Sequence, residues 1–240
     1  MEHTQVTDIL GWMSHVIDTT EMYLRTVYEL LEEGVTPLRA RIAERMQHSG
    51  PTVSQTVSRM ERDGLLQVHE DRRILLSDKG EHLAAQVMRR HRLAERLLVD
   101  VIGMQWAEAH EEACKWEHVI GERVENRLVD LLNDPKESVY GTPIPRVGDD
   151  VSVSIARFRS DAEPLSCVIE PSHAVTVRLI RIGEFLQRDI ESLEALARAG
   201  ILPGAQIDAV CDPTCLTLIT PDRKCRLDAD WAEQLFVARL

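Results

Sequence analysis

The sequence predicts a mainly α-helical fold that carries two small β modules. Three observations support this. Apolar residues recur at helical spacing through most of the first 133 positions, a hairpin pattern interrupts them near residue 70, and from Ala174 onward short β-prone runs alternate with Pro, Asp and Gly. The chain has 240 residues, 44% of them hydrophobic, enough for two or three small domains with real cores.

The elements follow in order. Thr19 or Thr20 suits the N-cap of a first helix with Glu21 in its opening turn; Met22, Leu24, Val27, Tyr28, Leu30 and Leu31 favour one side, and Gly34 stops it. Thr36-Pro37 opens a second helix through about Met46, and Ser49-Gly50-Pro51-Thr52 opens a third, with Val53, Val57 and Met60 inward and Gly64 at its end. Residues 65–69 and 73–76 flank a Glu70-Asp71-Arg72 turn and form a hairpin. Three helices and a hairpin over 1–76 are the plan of a winged helix-turn-helix, with 1–15 as a flexible extension. Ser77 caps a long helix over about 78–100, and helices over about 107–119 and 121–133 complete a helical domain, 77–145. Residues 146–173, rich in Pro, Ser, Asp and Gly, read as a partly flexible linker. In 174–240, a strand through Val175, Val177, Leu179 and Ile182, a helix over 190–199 stopped by Gly200, and strands over 207–210, 216–219 and 225–227 suggest an SH3-like β-barrel.

Charge distribution narrows the function. The formal net charge of −12 argues against a simple polyanion binder, but residues 1–35 carry −6, 36–73 carry +2 and the remainder −8. One mildly basic segment inside an acidic chain should bind DNA poorly until something organises it, and bound divalent cations would relieve the acidity. No apolar run approaches the roughly 18 residues of a membrane span. The N-terminus lacks a signal pattern, so the expected location is cytoplasmic with no membrane partner. Five irregularly spaced cysteines do not form a secreted disulfide framework. Cys211, Cys215 and Cys225, despite a C-x₃-C spacing, read as small buried thiols.

The basic segment holds the third helix. In a helix-turn-helix the second motif helix enters the major groove. Here it begins at Ser49 and Pro51 and exposes Thr52, Ser54, Gln55 and Ser58. Hydroxyls contact phosphate and Gln pairs with adenine, while Arg39, Arg59 and Arg62 add phosphate contacts. An ordinary Ser/Thr-capped surface helix, or a winged helix that binds protein, fits the same pattern.

The sharpest chemistry is in the string from His110 to His118. His110, Cys114, Glu117 and His118 fall within about one-third of a helix circumference. A thiolate, a carboxylate and two imidazoles on one face suit a transition metal; the alternative is a solvated face with intrahelical pairs. His91 and Glu95, four apart on the preceding helix, read on their own as such a pair. Neither group offers a nucleophile with its activating base, so an enzyme is not expected; a zinc metalloenzyme using the same residues is the competing class.

Together the strings Asp18–Arg25, Arg39–Arg45, Ser49–Val57, His91–Leu98 and Glu112–His118 resemble the diphtheria toxin repressor family of iron-dependent regulators. The resemblance runs from about Val16 to about Pro145 and resumes weakly in the C-terminal module. It implies a homodimer that binds inverted-repeat DNA operators, with room for two dimers on one operator, and controls iron homeostasis genes. It implies two metal ions per subunit: a primary site of Met22, Cys114, Glu117 and His118, and an ancillary site of His91, Glu95, His110, Glu184 and Gln187. An anion is expected beside the ancillary metal at Arg92 and Ser138, although Thr142 stands where the family pattern has Asn. Manganese-sensing relatives carry carboxylates at the positions of Met22 and Cys114; soft donors here favour Fe²⁺, with Co²⁺, Ni²⁺, Mn²⁺ or Zn²⁺ as substitutes in vitro. One metal joining Met22 to the other three ligands would set the angle between the DNA-binding and helical domains.

Overall fold

The structure, a computed structural model, describes residues 19–170 and 173–240. The expected extension over 1–15 lies outside the described residues.

Helix α1 (Thr19–Glu33) is the structural axis of the N-terminal domain. Leu24, Val27 and Tyr28 are inaccessible to solvent, and so are charged residues on the same helix, Glu29 and Glu32 among them. A helix buried on nearly every side must pair its charges internally. Thr19 and Thr20 are already helical rather than capping. Helix α2 (Arg39–Met46) starts two residues beyond Pro37, because the Pro37 carbonyl accepts from Ile74 N at 2.9 Å and holds 36–38 extended against the hairpin. Helix α3 (Gly50–Arg62) is capped by Ser49, whose hydroxyl accepts from Thr52 N, and buries Val53, Val57 and Met60. Strands β1 (Leu66–Val68) and β2 (Ile74–Leu76) pair antiparallel as the wing.

Ser77 caps α4 (Asp78–Arg96), which runs into a π-helical segment, Leu97–Ile102. Helices α5 (Ala109–Trp116) and α6 (Glu122–Leu131) pack beside it around Leu93, Leu98, Ala113 and Leu128.

The expected linker is a correction. Residues 146–173 contain a helix, α7 (Val151–Arg159), a short strand, β3 (Glu163–Pro164), and a 3₁₀ turn, Leu165–Cys167. Val151, Ser154 and Phe158 recur three and four apart and face inward, a period masked by the polar composition. Val151 and Ile155 join the N-terminal core, while Phe158 meets Phe236 edge-on at 4.9 Å. Arg159 donates to the carbonyls of Leu31 and Glu32, satisfying the end of α1.

The C-terminal module is a six-stranded antiparallel sheet in the order β3-β8-β4-β5-β6-β7, built from β4 (Val175–Ile182), β5 (Gln206–Asp212), β6 (Cys215–Ile219), β7 (Lys224–Asp228) and β8 (Leu235–Arg239), with α8 (Ile190–Arg198) covering its core. Strand β8, absent from the sequence expectation, lies between β3 and β4. Of the three module cysteines only Cys225 is buried. Cys215 stands opposite Asp212, so its neighbour on β5, Cys211, points to the other face of the sheet. The two thiols therefore do not face one another.

Two glycines are required by close approach. A Cβ at Gly80 would lie 1.9 Å from the Leu65 carbonyl oxygen, and one at Gly141, whose φ is +79°, would lie 2.2 Å from that of Ile180. Gly80→Ala is expected to push α4 off the wing and cost about 2–3 kcal/mol in urea unfolding; wild-type stability in that variant would contradict the packing.

Candidate metal centre and nucleic-acid interface

Helix α4 presents His91, Arg92 and Glu95 inward, each fully buried. Helix α5 brings His110 and, one turn on, Cys114; the turn that follows supplies Glu117 and His118. The loop after β4 adds Glu184 and Gln187, both buried. Two domains thus contribute polar and charged side chains to one interior region.

The expected ancillary residues converge. His91 Nε2 lies 2.7 Å from Glu95 Oε1 and 3.1 Å from His110 Nδ1; His110 Nδ1 lies 3.0 Å from Gln187 Oε1; Glu184 Oε2 is 3.6 Å from each imidazole. Donors bound at about 2.0–2.2 Å to one ion stand about 3–3.5 Å apart, so this spacing suits a shared metal. Glu95 Oε2 and Glu184 Oε2 are also buried without a hydrogen-bond partner, the condition that an ion would relieve. The residues fit a metal.

The expected primary residues are more open. Met22, Cys114, Glu117 and His118 line one cavity of about 360 Å³ between α1 and α5. His118 Nε2 is 3.3 Å from Glu117 Oε1, and its Nδ1 is 2.7 Å from Glu21 Oε2 on α1. The Arg25 guanidinium enters this group: its Nη1 is 2.6 Å from Glu117 Oε2, 3.2 Å from Cys114 Sγ and 3.0 Å from His91 Nδ1. His91 Nδ1 is also 2.6 Å from Glu117 Oε2, so one imidazole touches both groups.

Burial and pairing set the protonation. Burial opposes charge at His91, Glu95, His110, Cys114 and Glu117, yet the charged neighbours prevail. Glu95 and His91 hold each other ionised, with His91 well above the usual imidazole range and Glu95 well below the usual carboxylate range. Cys114 lifts His110 to about 9, and Arg25 with His91 holds Glu117 at about 2. Arg25 and His110 hold the Cys114 thiol well below its ordinary value. The Cys114 thiolate and the Glu95 and Glu117 carboxylates are thus ready to ligate, whereas the His91 and His110 imidazoles must release protons to do so.

The expected anion contact does not have its donor. Arg92 gives Nε and Nη2 to Glu184 Oε1, Nη1 to Glu32 Oε1 and the Pro143 carbonyl, and Nη2 to Glu32 Oε2, which uses all five N–H groups. Ser138 Oγ is 2.7 Å from Thr142 Oγ1 and accepts from Tyr140 N. The Arg92 donors expected for an anion go instead to two carboxylates, Glu184 and Glu32.

On the other side of α1, α3 exposes Pro51, Thr52, Ser54, Gln55, Ser58, Arg59 and Arg62, with Ser49 at its cap, while Val53, Val57 and Met60 hold it to the core. Arg39 begins α2 and is half-buried. This is a preformed polar and basic helix face beside a two-stranded wing.

Three family models together match most of the chain. The iron dependent repressor N-terminal DNA binding domain matches residues 15–74, its metal binding and dimerisation domain matches 77–146, and the diphtheria toxin repressor SH3 domain matches 168–238. The chain belongs to the diphtheria toxin repressor family. It is a metal-dependent transcriptional repressor and not an enzyme. It is 53% identical to the iron-dependent repressor IdeR of Mycobacterium tuberculosis H37Rv, covering 84% of this chain and 87% of that one. It is 46% identical to the diphtheria toxin repressor of Corynebacterium diphtheriae, covering 95% and 100%. Among solved structures, the metal-dependent transcriptional regulator MtsR superposes with a TM-score of 0.74 at 26% identity, over 92% of this chain and 99% of that one. Within the family's dimerisation region, Val101, Ile102, Val119, Val124 and Leu131 leave apolar surface exposed. Among the described residues, no helix is long and apolar enough to cross a membrane.

Sequence reasoning gave no role to Arg25, Glu29 or Glu32. A signal was present: three charged residues at i, i+4 and i+7 on a helix otherwise built for burial.

Proposed function

We propose that this repressor is activated by Fe²⁺, two ions per subunit, and then binds inverted-repeat operators of iron homeostasis genes as a homodimer, two dimers to an operator. The carrying observation is that Met22 on α1 shares one cavity with Cys114, Glu117 and His118 beside α5. Those four are the primary ligands in this reading, and His91, Glu95, His110, Glu184 and Gln187 are the ancillary ones. A divalent metal supplies a charge that binds the closed α1–α5 arrangement better than an open one. This chain's own residues hold the geometry: α1 carries Met22 into the cavity, His91 orients Glu117, and the Arg92–Glu32–Glu184 network fixes the SH3-like module over the ancillary group. Fixing α1 fixes α3, whose Ser49, Pro51, Thr52, Ser54, Gln55, Ser58, Arg59 and Arg62, with Arg39, face DNA. Operator affinity then depends on the one-turn spacing of two such helices.

The thioether and thiolate favour Fe²⁺, Co²⁺, Ni²⁺ and Zn²⁺ over Mn²⁺. Gel retardation of an inverted-repeat operator across these metals tests the reading, with metal analysis of protein purified without chelator. Fe²⁺ and Co²⁺ are expected to produce a shifted band at lower concentration than Mn²⁺. Retardation independent of metal would defeat it.

A further inference from the structure

The cavity between α1 and α5 has a cation of its own. Arg25 is 6% exposed, and its Nη1 touches Glu117, Cys114 and His91 at once. A guanidinium carries one positive charge and donates along fixed directions to soft and hard anions alike. Here it sits between the thiolate and the carboxylate that the preceding reading gives to the primary metal.

Its fit is incomplete. Arg25 Nε lies 2.9 Å from Glu29 Oε1, one turn along α1, yet both atoms are buried and neither has a hydrogen-bond partner. They are close enough but out of line. The pull of Nη1 toward Glu117 and Cys114 therefore competes with an aligned pair to Glu29. An unaligned buried donor and acceptor are each costly. A small rotation of the guanidinium toward Glu29 would satisfy both atoms and withdraw Nη1 from the thiolate. The adjoining cavity of about 360 Å³, which Arg25 also lines, leaves room for that motion.

We propose that Arg25 is a built-in competitor for the primary site, holding Cys114 and Glu117 as a pair while metal is scarce and swinging onto Glu29 when a divalent ion displaces it. The inference rests on the assignment of Cys114 and Glu117 as metal ligands. The exchange makes and breaks no covalent bond, and Arg25 stays charged throughout: one ion pair, with Glu117 and Cys114, is given up as another, with Glu29, is aligned. Arg25 thereby raises the metal concentration at which the site fills, and it keeps buried anions compensated before that point. A structural arginine would support the ligands and help metal binding; a competitor opposes it. The two roles predict opposite signs.

The test is anaerobic Co²⁺ titration of the full chain, followed through the cobalt–thiolate absorption, together with thermal unfolding with and without metal. Arg25→Met is expected to bind Co²⁺ at least tenfold more tightly than wild type. Its metal-free Tm is expected to fall while its Co²⁺-saturated Tm stays near wild type, so the metal-induced rise widens. Arg25→Lys, which keeps the charge, should remain close to wild type in affinity. If Arg25→Met does not stay folded without metal, Arg25→Gln carries the same expectation of tighter Co²⁺ binding. Equal or weaker Co²⁺ binding in these neutral variants, or an equal loss of Tm with and without metal, would overturn the competitor role and leave the ligand assignment standing. A cobalt–thiolate band that persists in Cys114→Ser, or that never forms in the wild-type chain, would instead remove the ligand assignment and the inference with it.

Discussion

Met22→Ala is expected to raise the metal concentration needed for half-maximal operator binding by ~100-fold, about 2.7 kcal/mol of lost coupling, while the chain keeps its helical circular dichroism. Met22 belongs to the DNA-binding domain, whereas Cys114, Glu117 and His118 belong to the next one, and all four line a single cavity. Removing the thioether leaves three ligands able to hold metal but cuts the bond that ties metal to α1. Met22 is only half-buried and borders open space, so its loss should disturb packing little. Fluorescence anisotropy of a labelled operator, titrated with Fe²⁺ or Co²⁺, gives the comparison. A wild-type metal curve in Met22→Ala would sink the proposed bridge. The double variant Glu184→Ala/Gln187→Ala should lose less, because the Met22 bridge persists; if it loses as much, the ranking of the two metal groups is inverted.

What the sequence made legible, and what it hid, follows from which forces are local. The helices of the first 133 residues are written in their own periodicity, and the hairpin in its turn residues. The Cys114–His118 group was legible because its members lie within five consecutive residues, on the last turn of α5 and the turn that follows it. His91 and Glu95 read as a solvated pair for the opposite reason: their partners, His110 from the next helix and, for His91, Glu184 from the distant C-terminal module, leave no trace in their own segment. Arg25, Glu29 and Glu32 were similarly opaque, since a buried charge and a surface charge look alike until the partner is known. Helix α7 escaped because a polar residue, Ser154, shares its inward face with Val151 and Phe158, and because Asp149-Asp150 and Ser160-Asp161 flank it. Strand β8 escaped because its continuous Leu235-Phe236-Val237 run lacks the alternation of a half-exposed strand; it is buried because it pairs on both sides.

Arg92→Met is expected to lower stability by about 3–5 kcal/mol, because removing one partner of a buried ion pair leaves its carboxylates uncompensated. For a chain of this size that is roughly a 6–20 °C fall in Tm. Arg92 joins α1 through Glu32, the 143 carbonyl beyond α6 and the SH3-like module through Glu184, and it has no exposed surface. The loss should also depend on pH. Burial already pushes Glu32 up to about 7 with Arg92 beside it, against an ordinary value of 4.5. A carboxyl with a raised folded pKa favours the folded chain while protonated, and that contribution is lost as pH rises from about 4.5 through about 7. Without Arg92 nothing offsets the burial, so Glu32 remains protonated to still higher pH and ionises there at greater cost. The Tm deficit of Arg92→Met relative to wild type should therefore be largest near pH 8 and shrink toward pH 5. Thermal melts of both chains across that range decide the cause. A deficit that does not change with pH would assign the effect to lost packing of the arginine stem, and no deficit at all would show that the three-domain network contributes nothing to holding the domains together.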